Sequence, residues 1–199
     1  MVRHGQTQWN ASRRFQGRTD VALSDTGRQQ ARAIAQALRD EPFTHAFSSD
    51  LRRARETAQT IAEFHEGLHV RADERLREFD FGAWEGLTWV QIVERWPELL
   101  EREATAARLY APAGGEQFSD VVARVDSFLR DVRALGPDAR VLAVAHAGVL
   151  HAAVAALRPE GVDQEGLVFS TAGFTRFAMD GPRARIITLN DVSHLDSTA

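Results

Sequence analysis

Val2-Arg3-His4-Gly5-Gln6-Thr7 begins with an apolar residue and runs straight into Arg, His and Gly. Such a stretch reads as a strand that stops at a chemically loaded turn, which is where an open α/β sheet puts its active site. Gly5 allows a tight turn and close approach of the backbone to a ligand, and Arg3 offers a planar fork of donors that suits a phosphate or carboxylate. His4 stands beside it as a candidate nucleophile. A surface His next to a surface Arg would read the same way, so the rest of the chain has to support the chemical reading. Val2 is nearly the first residue, which makes the expected opening strand very short.

A second junction of the same kind lies far downstream. Val141-Leu142-Ala143-Val144-Ala145 is a continuous apolar run, as expected of a parallel strand covered on both faces, and it ends in His146-Ala147-Gly148. Strand, His, small residues and helix are thus repeated, and two such junctions in one α/β chain can bring two imidazoles to one sheet edge. A buried structural His is the plainer reading of His146.

Between the junctions, Trp9-Asn10 and Arg13 to Gly17 read as an irregular polar loop. Ser24 can cap a helix in which Ala31, Ile34, Ala35 and Leu38 form one stripe. Phe43 to Phe47 reads as a strand ending in Ser48-Ser49-Asp50, three good N-cap types. A second amphipathic helix follows through Leu51, Ala54, Ala58 and Ile61. Its first turn carries Arg52, Arg53 and Arg55, although the helix dipole favours acids there, so at least one of these Arg is expected to serve a ligand. A helix from Thr88 to about Trp96, a mixed polar stretch to Tyr110, a loop at Ala113-Gly114-Gly115-Glu116 and a helix built on Val121, Val125, Phe128, Val132 and Leu135 come next. Phe169 to Phe177 and Arg185 to Leu189 read as closing strands. With no repeat, low-complexity segment or obvious linker, one domain over residues 1–199 is expected.

Composition narrows the chemistry. All 24 basic residues are Arg, and there is neither Lys nor Cys. Cys-thiolate phosphatases, thiolate metal sites, Schiff-base lysines and the ordinary phosphate-loop lysine are therefore excluded. The formal charge of -4 argues against general nucleic-acid binding, so any bound anion must be held by locally gathered Arg. No apolar run suits a secretion signal or a membrane span, and a cytoplasmic protein is expected.

Two further segments carry titratable clusters. His65-Glu66-Gly67-Leu68-His69 matches the zinc-protease pattern, but that chemistry needs both His on one continuous helix, and Gly67 interrupts it. The segment reads as a helix end, and no metal is expected. Leu76 to Gly86 alternates carboxylates with aromatics, the setting that raises a carboxyl pKa enough to make a general acid. Glu78, Asp80 and Glu85 compete for that role.

Arg3-His4-Gly5-Gln6-Thr7 with Trp9-Asn10 and Gln16-Gly17, Leu23-Ser24 with Gly27 and Gln30-Ala31, and Ser48 to Ala54 with Thr57-Ala58 resemble the histidine phosphatase superfamily, also called phosphoglycerate mutase-like. Glu78 with Phe81-Gly82 and Trp84-Glu85-Gly86, Gly114-Gly115-Glu116 and Ala145 to Gly148 continue the resemblance in order. It spans residues 2 to about 150. It implies a three-layer αβα sandwich with a mostly parallel central sheet, and phosphoryl transfer to a histidine with no metal or organic cofactor. On the matching motifs, His4 would be the nucleophile, with one ring nitrogen donating to a backbone carbonyl so that the other faces phosphorus. Arg3, Arg53 and His146 would clamp the phosphate, Asn10 and Gln16 would assist with Gly17 and Ala147 alongside, and Glu78 would donate the proton.

The resemblance implies a small phosphomonoester as the partner, while phosphoglycerate mutase-type transfer and a pathway-specific phosphatase such as an α-ribazole phosphatase remain alternatives. Mutases carry Arg, Tyr and Lys after the acid, where this chain has positions matched by Phe79, Phe81 and Trp89. An aromatic wall there suits the uncharged body of a monoester and favours hydrolysis. The chain is also short of the middle insertion with which mutases close over substrate. Gln117 and His151, where the family often has Ser and Arg, bear on substrate preference.

Overall fold

In the computed structural model of the chain, which describes residues 1–101, 114–158, 166–180 and 183–198, the run Val141–Ala145 forms a strand, β4. It is apolar throughout because both faces are covered: Leu142 and Val144 enter one core cluster, Ala143 and Ala145 the other. That alternation is the pleat of a strand, and the two clusters are the two helix-covered faces of a three-layer αβα architecture.

The sheet has six strands in the order β3-β2-β4-β1-β5-β6, with β1 Val2–Arg3, β2 His45–Ser48, β3 Val70–Ala72, β5 Phe174–Asp180 and β6 Arg183–Asp191. β1 with β4, β2 with β4 and β2 with β3 pair in parallel, while β5 and β6 add an antiparallel edge. β1 is as short as expected, yet its register decides the site. Val2 pairs with Val144 and Arg3 with Ala145, so β1 and β4 end level, and His4 and His146 leave the sheet one residue beyond.

One face is covered by α2 (Asp25–Ala37) and α3 (Arg52–Ala62), which pack on each other. Ile34, Ala35, Ala54, Ala58 and Ile61 are buried there, and full burial of one such Ile contributes about 1.5–3 kcal/mol. The opposite face holds α5 (Phe118–Ala134) and α6 (Ala147–Leu157), which bury Val121, Val125, Phe128, Val149 and Leu150. A short α4 (Trp89–Arg95), capped by Thr88, carries a satellite cluster around Trp84 and Ile92. No helix among the described residues is long and apolar enough to cross a membrane.

Several local expectations are corrected. The loop after β1 contains a one-turn helix, α1 (Gln8–Ala11), because Thr7 and Asn10 form a reciprocal capping box. β2 starts at His45 rather than Phe43. None of Ser48, Ser49 and Asp50 caps α3. Its cap position is Leu51, which offers no side-chain bond, and the Arg52 N–H is instead satisfied by Asp20 Oδ1 at 2.7 Å. Asp50 is engaged by Arg77. β5 begins at Phe174, since Phe169 to Ala172 turn to meet the end of β1, with Ala172 N–H donating to Arg3 O at 3.0 Å. Leu135 is an exposed residue at the end of α5 rather than core. The polar stretch to Tyr110 opens with a short 3-10 helix, Pro97–Glu101, and residues 102–113 lie outside the described residues. α3 ends at Ala62, so His65 and His69 do not share a helix, and Gly67 sits at φ +74°.

The loop after β1 lies directly on the start of α2. A Cβ on Gly5 would collide with Gly27 O, and one on Gly27 with Gln6 O. Both glycines are thus required by the approach of two backbones.

Candidate active site

His4 is almost wholly buried, and its Nδ1 lies 2.6 Å from Gly5 O. A carbonyl can only accept, so Nδ1 carries the proton and Nε2 keeps its lone pair. Nε2 makes no hydrogen bond among the described residues. Gly5 N–H donates to Thr57 Oγ1 at 3.1 Å, which ties the turn to the inward face of α3. Burial, then the fields of Arg53 and Arg3, push the His4 imidazole well below its usual 6.5. The ring is therefore neutral at pH 7.

Arg53 is fully buried one helical turn before Thr57. Its Nη2 donates to Gly17 O at 2.7 Å, its Nη1 to Thr19 O at 2.9 Å and its Nε to His146 Nδ1 at 3.2 Å. Desolvation lowers its pKa to about 10, so it remains a cation. Of the three Arg at the start of α3, it is the one turned inward, while Arg52 and Arg55 are exposed.

Because His146 Nδ1 accepts from Arg53, its proton sits on Nε2, a buried donor with no partner among the described residues. The two imidazole centroids are 5.0 Å apart with planes at 62°. Burial, then Arg53, hold His146 well below 6.5 as well. Arg3 donates through Nη1 to Phe169 O at 2.6 Å, and its Nε is a second buried donor without a partner among the described residues. Each such orphan costs about 1–3 kcal/mol if nothing pairs with it, so an accepting ligand is the natural complement.

Glu78 borders the same cavity. Its Oε1 accepts from Phe79 N–H at 3.0 Å and its Oε2 from Gly148 N–H at 3.3 Å, in the first turn of α6. A Cβ on Gly148 would strike Glu78 Oε1 and the Phe79 ring, which is why glycine stands there. Arg124 donates to Glu78 O at 3.2 Å and is paired with Glu116 at 2.8 Å, so the Gly-Gly-Glu loop braces the Glu78 segment. Burial pushes the Glu116 carboxyl up, but Arg124 and Arg18 hold it below the usual carboxylate value. The two competing acids are committed elsewhere. Asp80 faces Arg18 at 3.5 Å, and Glu85 accepts from Arg18 N–H and Thr19 N–H at 2.8 and 2.9 Å.

These groups surround a cavity of about 190 Å³ lined by Arg3, His4, Asn10, Arg13, Arg14, Phe15, Gln16, Gly17, Arg53, Glu78 and Phe81. Asn10 Oδ1 accepts from Thr7 N–H at 3.0 Å and Gln16 Oε1 from Thr7 Oγ1 at 2.8 Å, which leaves both amide NH₂ groups as donors. Gly17 contributes its carbonyl to Arg53. His146 lies behind the cavity wall, and Ala147 is the first residue of α6, also outside the lining. Of the three aromatics expected to form the wall, Phe81 alone lines it. Phe79 is buried in the core and Trp89 packs on Trp84. Gln117 caps α5 and lies outside the lining, and His151 packs on Phe169 at 4.8 Å between centroids.

Thr57, Asp20, Arg13 and Arg14 are structural or lining residues that the sequence reading did not single out for the site, whereas Glu85, weighed there as an acid, holds the 17–19 loop. Thr57 had a signal, since it falls four residues after Arg53 on the same face as Ala54, Ala58 and Ile61. Arg13 is exposed at φ +54°, a left-handed conformation that costs a non-glycine residue about 1–2 kcal/mol.

Comparison with known proteins shows the family. The family profile described as histidine phosphatase superfamily (branch 1) matches residues 1–192. Phosphoglycerate mutase-like protein 4 of Arabidopsis thaliana is 35% identical over 200 residues, covering 100% of this chain and 86% of that protein. Phosphoserine phosphatase 1 of Hydrogenobacter thermophilus is 33% identical over 198 residues, covering 98% and 92%. The solved structure of a mycobacterial glucosyl-3-phosphoglycerate phosphatase in complex with VO3 superposes with a TM-score of 0.83 at 38% identity, over 96% of both chains. The expected three-layer fold and the resemblance read from the motifs are thus both met, and the chain belongs to branch 1 of the histidine phosphatase superfamily.

Proposed function

We propose that this protein is a metal-independent phosphomonoesterase that passes the phosphoryl group of a small organic phosphate to His4 and from His4 to water. The observation that carries this reading is the pair of buried donors, Arg3 Nε and His146 Nε2, that have no partner among the described residues, beside a neutral His4 whose Nε2 makes no hydrogen bond among them. The lone pair of His4 Nε2 attacks phosphorus while the bond to the ester oxygen breaks, and Glu78 gives that oxygen a proton. The equatorial phosphoryl oxygens carry the developing charge, which Arg3, Arg53 and the His146 Nε2–H offset in place of a metal ion. Asn10 and Gln16 add amide donors at the rim. In the second half, the Glu78 carboxylate takes a proton from a water that attacks phosphorus, and the P–N bond breaks to free His4 and inorganic phosphate.

Two of the relatives bear phosphatase names, and one bears a mutase-like name. Phe81 in the wall, where a mutase carries a polar or charged residue, favours hydrolysis over retention of a doubly phosphorylated acid. The test is phosphate release from an aryl phosphate after exhaustive chelation, with quenching in alkaline denaturant, where the acid-labile phosphohistidine survives, to trap the labelled enzyme. The wild type should turn over and label, and His4→Ala should do neither. Activity lost on chelation and restored by a metal ion, or label retained in His4→Ala, would refute the assignment. Interconversion of 2- and 3-phosphoglycerate about tenfold faster than hydrolysis, roughly 1.4 kcal/mol in barrier, would make the protein a mutase.

A further inference from the structure

Arg3, Arg13, Arg14 and Arg53 all line the cavity beside His4, and Glu78 is the acidic residue among its described lining residues. Four guanidinium charges face one carboxylate. A phosphomonoester dianion offsets only two of these charges, so the wall keeps positive charge for a further anionic group whether Glu78 is ionised or holds the proton it gives.

The donors identify which residue is left for it. Arg3 is held by Phe169 O, and Arg53 by Gly17 O, Thr19 O and His146. Arg14 is held by Gly86 O at 2.6 Å and Gln91 Oε1 at 3.2 Å. The Arg13 side chain makes no hydrogen bond or ion pair among the described residues, and only its backbone N–H is engaged, by Asn10 O at 3.1 Å. It also occupies a left-handed position, φ +54°, just past the end of α1, where glycine would be the easy residue. A long cation is thus kept at a backbone position that disfavours it, with its planar fork of donors unspent. Such a fork binds a carboxylate through two parallel N–H···O bonds.

We infer that Arg13 is a specificity-determining residue that binds the carboxylate of the substrate, so that the enzyme acts on phosphorylated hydroxy or amino acids. This rests on the phosphatase reading of the same site. The test is steady-state kinetics of the wild type, Arg13→Gly and Arg13→Lys on pairs matched except for the carboxylate: O-phosphoserine against O-phosphoethanolamine, and 3-phosphoglycerate against glycerol 3-phosphate. Para-nitrophenyl phosphate serves as the reference substrate. The wild type should prefer the carboxylate-bearing member by about tenfold or more in kcat/KM, and Arg13→Gly should reduce that ratio to about threefold or less, chiefly through KM. Arg13→Lys should restore part of it. Glycine suits the backbone at this position, so the variant is expected to fold. Equal use of both members by the wild type, or a preference that survives Arg13→Gly, overturns the inference while leaving the phosphatase reading intact. Absence of any turnover of the aryl phosphate by the wild type refutes that reading, and this inference with it.

Discussion

Acidification from about pH 7.5 to about pH 5 should destabilise the protein through His4 and His146. Both rings are fully buried beside Arg53 and Arg3, and burial with that field keeps their folded pKa values well below 6.5. In the unfolded chain each titrates near 6.5. Below that pH the unfolded state binds protons that the folded state refuses, so stability is complete above 6.5 and falls as the pH falls. The limiting slope is about 1.4 kcal/mol per pH unit for each ring. For rings that stay neutral in the folded state across the interval, the loss is set by the unfolded titration alone and is at most about 2 kcal/mol per ring, about 4 kcal/mol for the pair. Against a total stability of about 5–15 kcal/mol for a domain, that loss is large. Urea unfolding of the wild type, His4→Asn and His146→Asn at several pH values isolates it, because the carboxylate contributions are common to all three and cancel. The wild type should lose more than either variant across the interval, by up to about 2 kcal/mol. Inorganic phosphate should shrink the loss, since it offsets the guanidinium field that keeps the rings neutral. Parallel pH profiles for wild type and variants would refute the claim that the two imidazoles are held unprotonated.

Glu78→Gln should slow turnover of poor leaving groups by about 10²- to 10⁴-fold and spare an activated aryl phosphate by comparison; equal defects on both would pass the acid role to Asp80 or Glu85. Gly148→Ala drives a methyl into Glu78 Oε1 and the Phe79 ring, so it should cost about 1–3 kcal/mol in urea unfolding. It should also lower kcat, and an unchanged kcat would mean that the Glu78 position is not critical. Asp20→Ala removes the acceptor of the Arg52 N–H at the start of α3 and should cost about 1 kcal/mol, whereas Asp20→Asn should retain most of the stability.

Both histidine junctions, the helix stripes and the covered strand β4 were legible because each is written in a local period or a local pair of residues. Ile34 and Ala35 face the core for the same reason that they recur along one stripe, and His146 meets His4 because β1 and β4 end in register. The cap of α3 was not legible: three local candidates preceded it, but Asp20, thirty-two residues upstream, makes the bond. The wall of the cavity was misread for a similar reason. Phe79 and Trp89 belong to packing clusters that only the tertiary fold assembles, while Arg13 and Arg14 enter the wall through a one-turn helix whose capping box spans Thr7 and Asn10. The start of β5 slipped because Phe169 to Ala172 serve the end of β1 through Phe169 O and Ala172 N–H, backbone bonds that the local residue pattern does not encode.

The cradle of Arg53 has an entropic consequence. An arginine side chain carries about 2 kcal/mol of rotamer freedom, which an exposed one surrenders when a ligand pins it. Gly17 O, Thr19 O and His146 have already immobilised this one, so folding rather than binding absorbs that loss. An oxyanion arriving at the site therefore meets a donor that has nothing left to order, and the orientation of that donor is set by two carbonyls of the 17–19 loop. Glu85 fixes the same loop from a segment almost seventy residues away, through Arg18 N–H and Thr19 N–H. Phosphate affinity is thus mechanically linked to the 17–19 and 85 segments, and a change in either would be felt at phosphorus before it was felt at the rim where the organic part of a substrate rests.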